Sequence, residues 1–437
     1  MRFVIEANEA MVNCALGDPG WRVIDARASD AYIGWTRPGG ARGGHLLYAE
    51  LFSAAWLDPV WKTYSGKVEA QLELQLTSQD ITPEMNVIIY DEGGGEAERV
   101  CDYLGERGFQ KLFYFDLRKW TGDLIRYPNY RLLAPVWWVK DLIDGKRPHN
   151  YDGQGFKIFE TSWKAPSQQY LEAHIPGAVH IDTNEFEAPP EWTRVSDEKL
   201  IQFALNNGIT PDTTVIVYAN DELGAPAKLS AVLRYLGVKK VLCLHGTLRN
   251  WLAAGYPTES GCPEKQPCLD KTVAFTIDHT QIRDINEAKA MLADPALGTV
   301  VDTRGWRQYI GEDSGYEYVP IAGRIPGTVW CWYPGHFSGP DSTMGNADVM
   351  LRVWENAGID TKKPMAFFCG SASWGASISK LYGNVAGFDT ATIYEGGWCE
   401  WQCDPNNPYE TGIPEALKDY DPAQYHVELT KGGGHCR

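Results

Sequence analysis

Basic residues are scarce in this sequence. Its 437 residues contain 40 Lys and Arg against 57 Asp and Glu, which gives a net charge of −17 at pH 7. A surface of that sign repels phosphate groups, so nucleic acid and anionic membranes are disfavoured as partners. A local basic pocket for a small anion is still compatible with this balance.

Cysteines and long apolar runs are also few. Ten cysteines are too sparse for a disulfide scaffold in a chain of this length, so we expect mostly reduced thiols and a cytoplasmic protein. No stretch of about 18 apolar residues is present, so we expect no membrane-spanning helix. The opening MRFVIEANEAMVNC lacks the basic and apolar regions of a secretory signal, so we expect no such signal.

The sequence does contain one unit that is repeated three times. Three strand-like runs contain an acidic residue: RVIDAR at 22–27, KIFETS at 157–162 and VVDTRG at 300–305. Three later runs pass from a strand-like into a helix-like pattern: VIIYDEGGGEAER at 87–99, VIVYANDELGAPAK at 215–228 and MAFFCGSASWGAS at 365–377. A further strand-like run follows each: KLFYFD, KVLCLHG and ATIYEGG. This recurrence predicts three copies of one small domain.

The spacing within the three copies supports their alignment. The acidic residues of the three first runs precede Asp91, Ala219 and Cys369 of the second runs by 66, 59 and 67 residues, respectively. Continuous Val, Ile, Phe and Tyr runs that alternate with helices predict buried parallel sheets. We therefore predict an α/β fold of three tandem domains over 1–132, 133–268 and 269–413, each a parallel sheet flanked by helices. The stretch SGCPEKQPCLDK predicts an exposed connector between the last two domains, and a polar tail covers 414–437.

Short turn and strand motifs recur in these copies. The chain has AHIPGAVHID at 173–182, VVDTR at 300–304, GRIPGTVW at 323–330 and EGGWCEW at 395–401, whereas the first copy has a degenerate GGARGGHLLYA. In type and order these motifs resemble those of the rhodanese sulfurtransferase family. The resemblance covers almost the whole chain and points to the three-rhodanese-domain proteins, which are thiosulfate/3-mercaptopyruvate sulfurtransferase-like and in which only the last domain is catalytic.

The resemblance implies a sulfurtransferase that uses a cysteine persulfide. At the catalytic position the first domain has Asp91 and the second has Ala219, and neither can carry a persulfide. Cys369 in the third domain is therefore the expected catalytic nucleophile. It would take sulfane sulfur from 3-mercaptopyruvate, another organic sulfur compound or thiosulfate and pass it to cyanide or to a thiol, including a protein thiol. No metal or cofactor is expected.

A thiol between a buried strand and a helix has a physical explanation. Backbone N–H groups at a helix N-terminus and in a tight loop attract anions, and they lower the pKa of a thiol from about 8.5 to roughly 3.5–7.5. Small residues allow the loop to curl around the sulfur, and we expect serine hydroxyls to donate to it. The alternative is an ordinary buried cysteine of the core. The predicted cradle consists of Gly370, Ser371, Ala372, Ser373, Trp374 and Gly375.

The predicted loop departs from the family in its charge. It carries no basic residue, and Gly375 stands where phosphatases that share this fold have an arginine to hold phosphate. This disfavours a phosphatase. The start Cys-Gly-Ser resembles that of mercaptopyruvate sulfurtransferases and favours an organic donor over thiosulfate. Trp374 is expected either to wall the substrate or to pack against the neighbouring domain.

A carboxylate donor would need cationic side chains near the loop. Arg304, Arg307 and Arg324 come from segments expected to lie there, and Tyr316, with its neighbour Tyr318, is expected to line the mouth. Arg304 in an internal ion pair and Arg307 on the plain surface are the alternatives. Asp302 is expected to be structural.

Two further groups of thiols leave alternatives open. Cys399 and Cys403 are four apart and share one helix face, where they would either resolve the persulfide or simply pack. The tail KGGGHCR would either bring Cys436 to the persulfide or be a disordered terminus. The alternative to an enzyme is a non-catalytic persulfide-binding or scaffold protein in a sulfur relay.

Overall fold

Three five-stranded parallel sheets form the framework of the chain, which a computed structural model describes over residues 5–270, 272–332 and 337–419. Counted in chain order within each sheet, the strands always lie in the order first, fifth, fourth, second, third. Helices connect the strands throughout. The shared topology confirms the predicted α/β class and the threefold repeat, and the three sheets with their helices are named here the first, second and third repeats.

The first repeat begins with short edge elements and has its longest strand in the middle. Its central strand is buried at every residue but the first, which is typical of a parallel sheet covered on both faces. The last helix of the repeat buries Ala97, Val100, Cys101 and Leu104 along one stripe. The strands are β1 (Ile5–Glu6), β2 (Trp21–Asp25), β3 (Glu50–Leu51), β4 (Asn86–Asp91) and β5 (Leu112–Asp116); the helices are α1 (Glu9–Ala15), α2 (Ser29–Ile33), α3 (Val60–Tyr64), α4 (Val68–Ser78) and α5 (Glu96–Glu106).

The second repeat adds a small antiparallel hairpin, β9–β10, to its parallel sheet. Its longest helix, α9, is buried at nearly every position, which is unusual for a surface helix and fits a helix packed on both sides. The strands are β6 (Leu133–Ala134), β7 (Phe156–Ser162), β8 (Ala178–Asp182), β9 (Glu187–Ala188), β10 (Thr193–Arg194), β11 (Thr214–Tyr218) and β12 (Lys240–Leu244); the helices are α6 (Val136–Ile143), α7 (Gln168–Glu172), α8 (Asp197–Asn206), α9 (Gly224–Tyr235) and α10 (Leu248–Ala253).

The third repeat packs its own long buried helix, α14, against α9 of the second repeat. Gly224 permits this approach, because a β-carbon there would lie 3.1 Å from the Cβ of Trp374. The strands are β13 (Ile282–Arg283), β14 (Thr299–Asp302), β15 (Val329–Trp330), β16 (Met365–Phe368) and β17 (Ala391–Tyr394); the helices are α11 (Ile285–Ala293), α12 (Trp306–Tyr309), α13 (Ala347–Asn356), α14 (Trp374–Val385) and α15 (Gly397–Cys403).

Strand register fixes which residues are equivalent in the three repeats. Asp302 pairs with Phe368 in the third repeat, and Cys369 follows directly. The corresponding pairs in the other repeats, Asp25 with Tyr90 and Glu160 with Tyr218, are followed by Asp91 and Ala219. The two carboxyl-terminal strand ends that the spacing aligned therefore do lie side by side.

The chain forms two compact units, and the first is discontinuous. It contains the first repeat together with residues 337–350, a segment that follows β15 in the sequence and includes the first four residues of α13. Within this unit the Asn346 side chain donates to Glu50 at 2.6 Å, and Tyr127 accepts from the Ala347 N–H at 2.8 Å. The second unit contains the second repeat and the rest of the third. The predicted domain boundaries stay a prediction. None of the described helices has both the length and the apolar character needed to cross a bilayer.

Candidate active site

Cys369 lies where β16 ends, five residues before α14 begins. The residue is 6% exposed, and its Sγ lies 3.5 Å from the carbonyl oxygen of Ser371, within the same loop. Ala372 and Ser373 have φ of 55° and 54°, in the left-handed region that side chains other than glycine rarely adopt. The loop therefore turns sharply around the thiol, in a conformation that costs backbone strain.

The start of α15 holds this loop in place. The N–H groups of Trp398 and Cys399 donate to the carbonyls of Cys369 and Gly370, at 3.1 and 2.8 Å. Gly397 has φ +56°, and a β-carbon there would come 2.3 Å from the carbonyl oxygen of Cys369. The glycine is thus required by both conformation and space.

The Ser373 hydroxyl bonds to the scaffold, and the buried Ser371 hydroxyl has no hydrogen-bond partner among the described residues. Ser373 donates to the carbonyl oxygen of Tyr394 at 2.7 Å. Ser371 is buried beside the thiol of Cys399 and lowers its pKa slightly, against a larger upward shift from burial that brings it to about 11. The expectation that both hydroxyls donate to Cys369 is therefore not met by this geometry.

The backbone of the loop offers donors where the side chains do not. Among the described residues, the N–H groups of residues 370–375 donate to no other group. They lie in the loop and in the first turn of α14, where helix N–H groups have no intrahelical acceptor. Such a set of donors can stabilise an anion, as the predicted cradle requires.

The first repeat fills the equivalent cradle with its own carboxylate. Asp91 accepts from the N–H groups of Gly93 at 2.8 Å and Ala97 at 3.1 Å. A side chain that occupies these donors leaves no room for a substrate anion. Ala219 of the second repeat has no heteroatom at this position at all, so both residues fit the predicted lack of chemistry in these repeats.

The aspartate–arginine pair of the first strand recurs with one difference. Arg304 is bidentate on Asp302, with contacts of 3.0 and 2.6 Å, and Arg27 makes the same pair with Asp25. Nη1 of Arg27 also reaches Glu92 at 3.3 Å. Nη1 of Arg304 is buried and has no hydrogen-bond partner among the described residues, because Gly370 replaces that glutamate. Asp302 is structural here, as expected.

The predicted substrate arginines are engaged elsewhere. Arg304 is bound to Asp302 beneath the loop and is 2% exposed. Arg324 pairs with Glu410 at 2.9 Å, and Arg307 is largely exposed and pairs with Glu312 at 3.4 Å. None of the three lines the cleft described below. Their role in binding a donor stays a prediction, and these positions do not support it.

Tyr316 does reach the loop. A β-carbon on Gly370 would lie 2.1 Å from its ring, so the tyrosine covers the loop where only glycine fits. Its ring centroid lies 5.3 Å from that of Tyr318. The two tyrosines therefore form one aromatic wall beside Cys369.

A small open cleft, with a cavity volume of about 30 Å³, lies over the Cys369 loop. Ser371 and Ala372 form part of its lining from the loop. The remaining lining residues are four aromatic side chains and one carboxyl group: Trp163, Trp192, Tyr318, Trp374 and Glu187. The lining is thus mostly apolar, and none of the described residues that form it is basic. Trp374 lines the cleft and contacts the second repeat, and its role in walling a substrate stays a prediction.

Glu187 is the one acid in this lining. Trp374 donates from Nε1 to both carboxyl oxygens, at 3.0 and 3.2 Å. Burial raises the pKa of Glu187 to about 8, with Lys228 opposing the shift and Glu395 adding to it. Burial therefore favours the neutral form of this carboxyl group in the cleft lining.

Three of the cleft residues were missed by sequence reasoning, and all three come from the second repeat. Trp163 follows β7 directly, and Glu187 and Trp192 belong to the β9–β10 hairpin. A signal did exist for Trp163, since ligands of parallel sheets bind at the carboxyl ends of strands. No pattern in the sequence shows that the hairpin approaches another repeat.

The other candidate thiols are Cys399, Cys403 and Cys436. Cys399 is buried and Cys403 is exposed, with its Sγ 3.1 Å from the Cys399 carbonyl oxygen. Trp398 and Trp401 are buried in the core. Cys436 lies outside the described residues. Within the described part of the chain, no group of three His, Cys, Asp or Glu side chains could hold a metal ion.

Comparison with known proteins identifies the family. Residues 138–254 and 284–404, in the second and third repeats, match the family described as Rhodanese-like domain. The chain belongs to the rhodanese family. This rhodanese is 33% identical over 405 residues to the thiosulfate sulfurtransferase YnjE of Escherichia coli (strain K12), which covers 90% of the chain and 89% of that protein. The chain is therefore a rhodanese-family sulfurtransferase.

Solved structures of similar proteins extend over nearly the whole chain. The anaerobic ergothioneine biosynthesis enzyme from Chlorobium limicola, in complex with its natural substrate trimethyl histidine, has 30% identity and a TM-score of 0.85, and covers 94% of this rhodanese and 100% of that chain. EanB, with a cysteine persulfide and ergothioneine, has 30% identity and a TM-score of 0.84 over the same shares. Both likenesses span all three repeats.

Proposed function

We propose that this rhodanese moves sulfane sulfur through a persulfide on Cys369. The observation that carries the proposal is the loop of residues 370–375, whose N–H groups have no acceptor among the described residues and which follows the only cysteine at the three equivalent strand ends. The Cys369 thiolate attacks the outer sulfur of a donor, the bond between that sulfur and the donor breaks, and the donor leaves as an anion. The persulfide is itself an anion and is held by the same N–H groups.

The donor that fits this site best is an organic sulfur compound. A dianion such as thiosulfate needs cationic side chains, and none of the described residues that line the cleft is cationic. The predicted preference for 3-mercaptopyruvate or another organic donor rests on this absence of charge. A carboxylate on the donor would have to be bound by backbone N–H groups rather than by arginine.

The cleft also supports an organic acceptor as a second candidate beside cyanide and simple thiols. Four aromatic side chains provide apolar surface for a small molecule. The similar enzyme from Chlorobium limicola binds trimethyl histidine, and EanB carries a cysteine persulfide beside ergothioneine. An acceptor of that size would present its reacting atom to the persulfide while its remainder stacks on the walls.

The mass of the intact protein tests the proposal. Incubation with 3-mercaptopyruvate, polysulfide or thiosulfate should add about 32 Da, and cyanide or a thiol should remove it. Cys369→Ser should abolish both the gain and the transfer while the protein stays folded, because a hydroxyl group cannot hold sulfane sulfur. Cys331→Ser is the matched control, since this thiol is equally buried and burial raises its pKa to about 12.

The non-enzyme alternative makes a different prediction in the same assay. A persulfide-binding or scaffold protein would gain sulfur on Cys369 but would not release sulfide or thiocyanate over repeated cycles. Turnover that survives in Cys369→Ser would refute both, because the sulfur would then be carried elsewhere. A panel of donors, scored by sulfide or thiocyanate release, identifies the donor.

A further inference from the structure

We infer that the cleft over the Cys369 loop binds the cationic group of the sulfur acceptor, between the aromatic faces of Trp163, Trp192 and Tyr318 and the carboxyl group of Glu187. The inference rests on the proposed function and adds the charge of the acceptor to it. It concerns a nitrogen cation, such as a quaternary ammonium, and not the reacting atom of the acceptor. The site is built from the second and third repeats together.

The aromatic walls have the arrangement that a compact cation requires. The rings of Trp163 and Trp192 are 5.9 Å apart and nearly perpendicular, at 84°, and that of Trp192 is 6.4 Å from Tyr318 at 54°. Rings that meet at such angles present π faces from several sides, and π faces attract cations. The ammonium of Lys164 already lies 3.8 Å from the Trp163 ring centroid, although Lys164 does not line the cleft.

The charges around the cleft favour a cation from outside the protein. Lys228 is the positively charged residue that lowers the pKa of Glu187, but its ammonium pairs with Glu395 at 3.5 Å. Arg194 also pairs with Glu395, through its guanidinium and through its N–H at 3.0 Å. Lys228 and Arg194 thus pair with Glu395, while Lys164 lies beside Trp163. Trp374 is a neutral donor to Glu187, and Glu187 forms no salt bridge among the described residues, although Lys228 favours its ionised form.

Backbone strain supports a binding role for the same residues. Trp192 has φ 58°, an uncommon value for a bulky side chain, at the turn of the β9–β10 hairpin. Ala372 and Ser373 on the loop are strained in the same way. Residues held in such conformations concentrate at ligand sites, because the surrounding structure fixes them for a purpose other than stability. Here the strained residues belong to Trp192 and to the Cys369 loop, which line the same cleft.

Because Glu187 titrates, the affinity of the site for a cation should depend on pH. Its carboxyl group has a raised pKa of about 8, because burial disfavours the charge more than Lys228 favours it, and Glu395 adds repulsion. A bound cation stabilises the ionised form, so binding should release a proton below pH 8. Affinity for the cation should therefore rise with pH up to about 8 and then level off.

The test compares two probes that differ only in charge. Choline and its uncharged tert-butyl analogue, in which carbon replaces nitrogen, are titrated into the unaltered full-length protein and followed by tryptophan fluorescence and calorimetry. We expect choline to bind about tenfold more tightly at pH 9 than its analogue, and this ratio to shrink at pH 6. Equal binding of the two probes at both pH values would overturn the inference without any variant.

Variants then test whether the Glu187 carboxylate is the group that attracts the cationic probe. Glu187→Gln keeps the oxygen that accepts from Trp374 and should remove the pH dependence of choline binding, while the analogue binds as before. Glu191→Gln removes a carboxylate from the turn of the same hairpin outside the cleft lining and should change neither. A choline titration that keeps its pH dependence in Glu187→Gln contradicts the assignment. Persulfide formation is read separately by mass on the unaltered protein, so a failure of the proposed function is distinguishable from a failure of charge recognition.

Discussion

A single side chain decides what each strand-end loop holds. In the first repeat the carboxylate of Asp91 accepts the loop N–H groups, and in the third repeat the same kind of loop leaves them open beside Cys369. The difference is one residue at one register position. The predicted inactivity of the first repeat would therefore need no loss of structure, only a fixed anion in the place of an exchangeable one.

The charge of the loop can be tested at Gly375. This residue is the second of α14 and is helical, so a side chain there meets no φ strain. Gly375→Arg adds a guanidinium fork near the bound anion and should raise kcat/KM for thiosulfate about tenfold, which corresponds to ~1.4 kcal/mol. Gly375→Ala is the control for bulk alone. If thiosulfate activity is unchanged in an arginine variant that still forms the persulfide, shape rather than charge selects the donor.

The buried and exposed arginines should differ sharply in their effect on stability. Arg304→Ala leaves Asp302 ionised and buried without its partner, a change that costs about 3–5 kcal/mol. Arg307→Ala breaks an exposed pair with Glu312 and should cost less than about 1 kcal/mol. Urea unfolding of both variants gives the comparison. A large loss of transfer in a fully stable Arg307→Ala protein would restore its predicted role in substrate binding.

At the scale of single elements, the short α15 positions the catalytic loop through Gly397. Gly397→Ala combines a left-handed φ with a β-carbon 2.3 Å from the Cys369 carbonyl oxygen, so it should displace the loop and slow persulfide formation at least tenfold. Gly358→Ala is the matched control, because it has φ +84° but nothing within 4 Å. It should cost only about 1 kcal/mol of stability. Mass-resolved rates of sulfur loading distinguish the two, and equal rates would mean that the loop does not depend on α15.

Strands could be predicted from the sequence where their own residues form a recognisable apolar pattern. The inner strands β4, β11 and β16 are continuous apolar runs and were placed correctly. The edge strands β3 and β15 have only two residues each, too few for any periodicity. Their pairing is set by the strand beside them.

The site was predictable to the extent that it is local. Cys369 and its loop follow from the strand-to-helix pattern, and Tyr316 from its neighbouring insertion. Glu187 and Trp192 lie almost 200 residues earlier, on a hairpin whose own sequence gives no sign of a partner. The role of the arginines in donor binding stays a prediction, because charge in a sequence does not reveal which carboxylate it meets, and Arg304 and Arg324 each pair with one.

For the molecule as a whole, buried carboxyl groups shift the pH of greatest stability to the acid side. Burial raises the pKa of Asp341 to about 6, that of Glu400 to about 7 and that of Glu187 to about 8. A carboxyl group with a raised pKa contributes stability below its unfolded value near 4, and that contribution is lost as pH rises through its folded value. The melting temperature should therefore fall between pH 5 and pH 7.

One substitution separates this effect from the general repulsion of a net charge of −17. Asp341→Asn keeps an oxygen for the Thr343 N–H and hydroxyl groups and should match the unaltered protein at pH 4 but exceed it by about 2 kcal/mol at pH 8. Glu355→Gln, at an exposed carboxylate, should follow the unaltered curve. Calorimetry across this range checks both, and parallel curves for Asp341→Asn would show that this group does not titrate as described.

The discontinuity of the first unit has a consequence for how the protein is made. Residues up to 131 leave the ribosome first, but their unit lacks residues 337–350 until more than 200 further residues have been added. At about 5–20 residues per second, that delay is roughly 10–40 s. During this time the partners of the later segment, such as Glu50 and Tyr127, face solvent or other proteins. Cys369 is translated only 19 residues after that segment ends, so the nascent chain completes its earliest unit and receives its reactive thiol within the same few seconds.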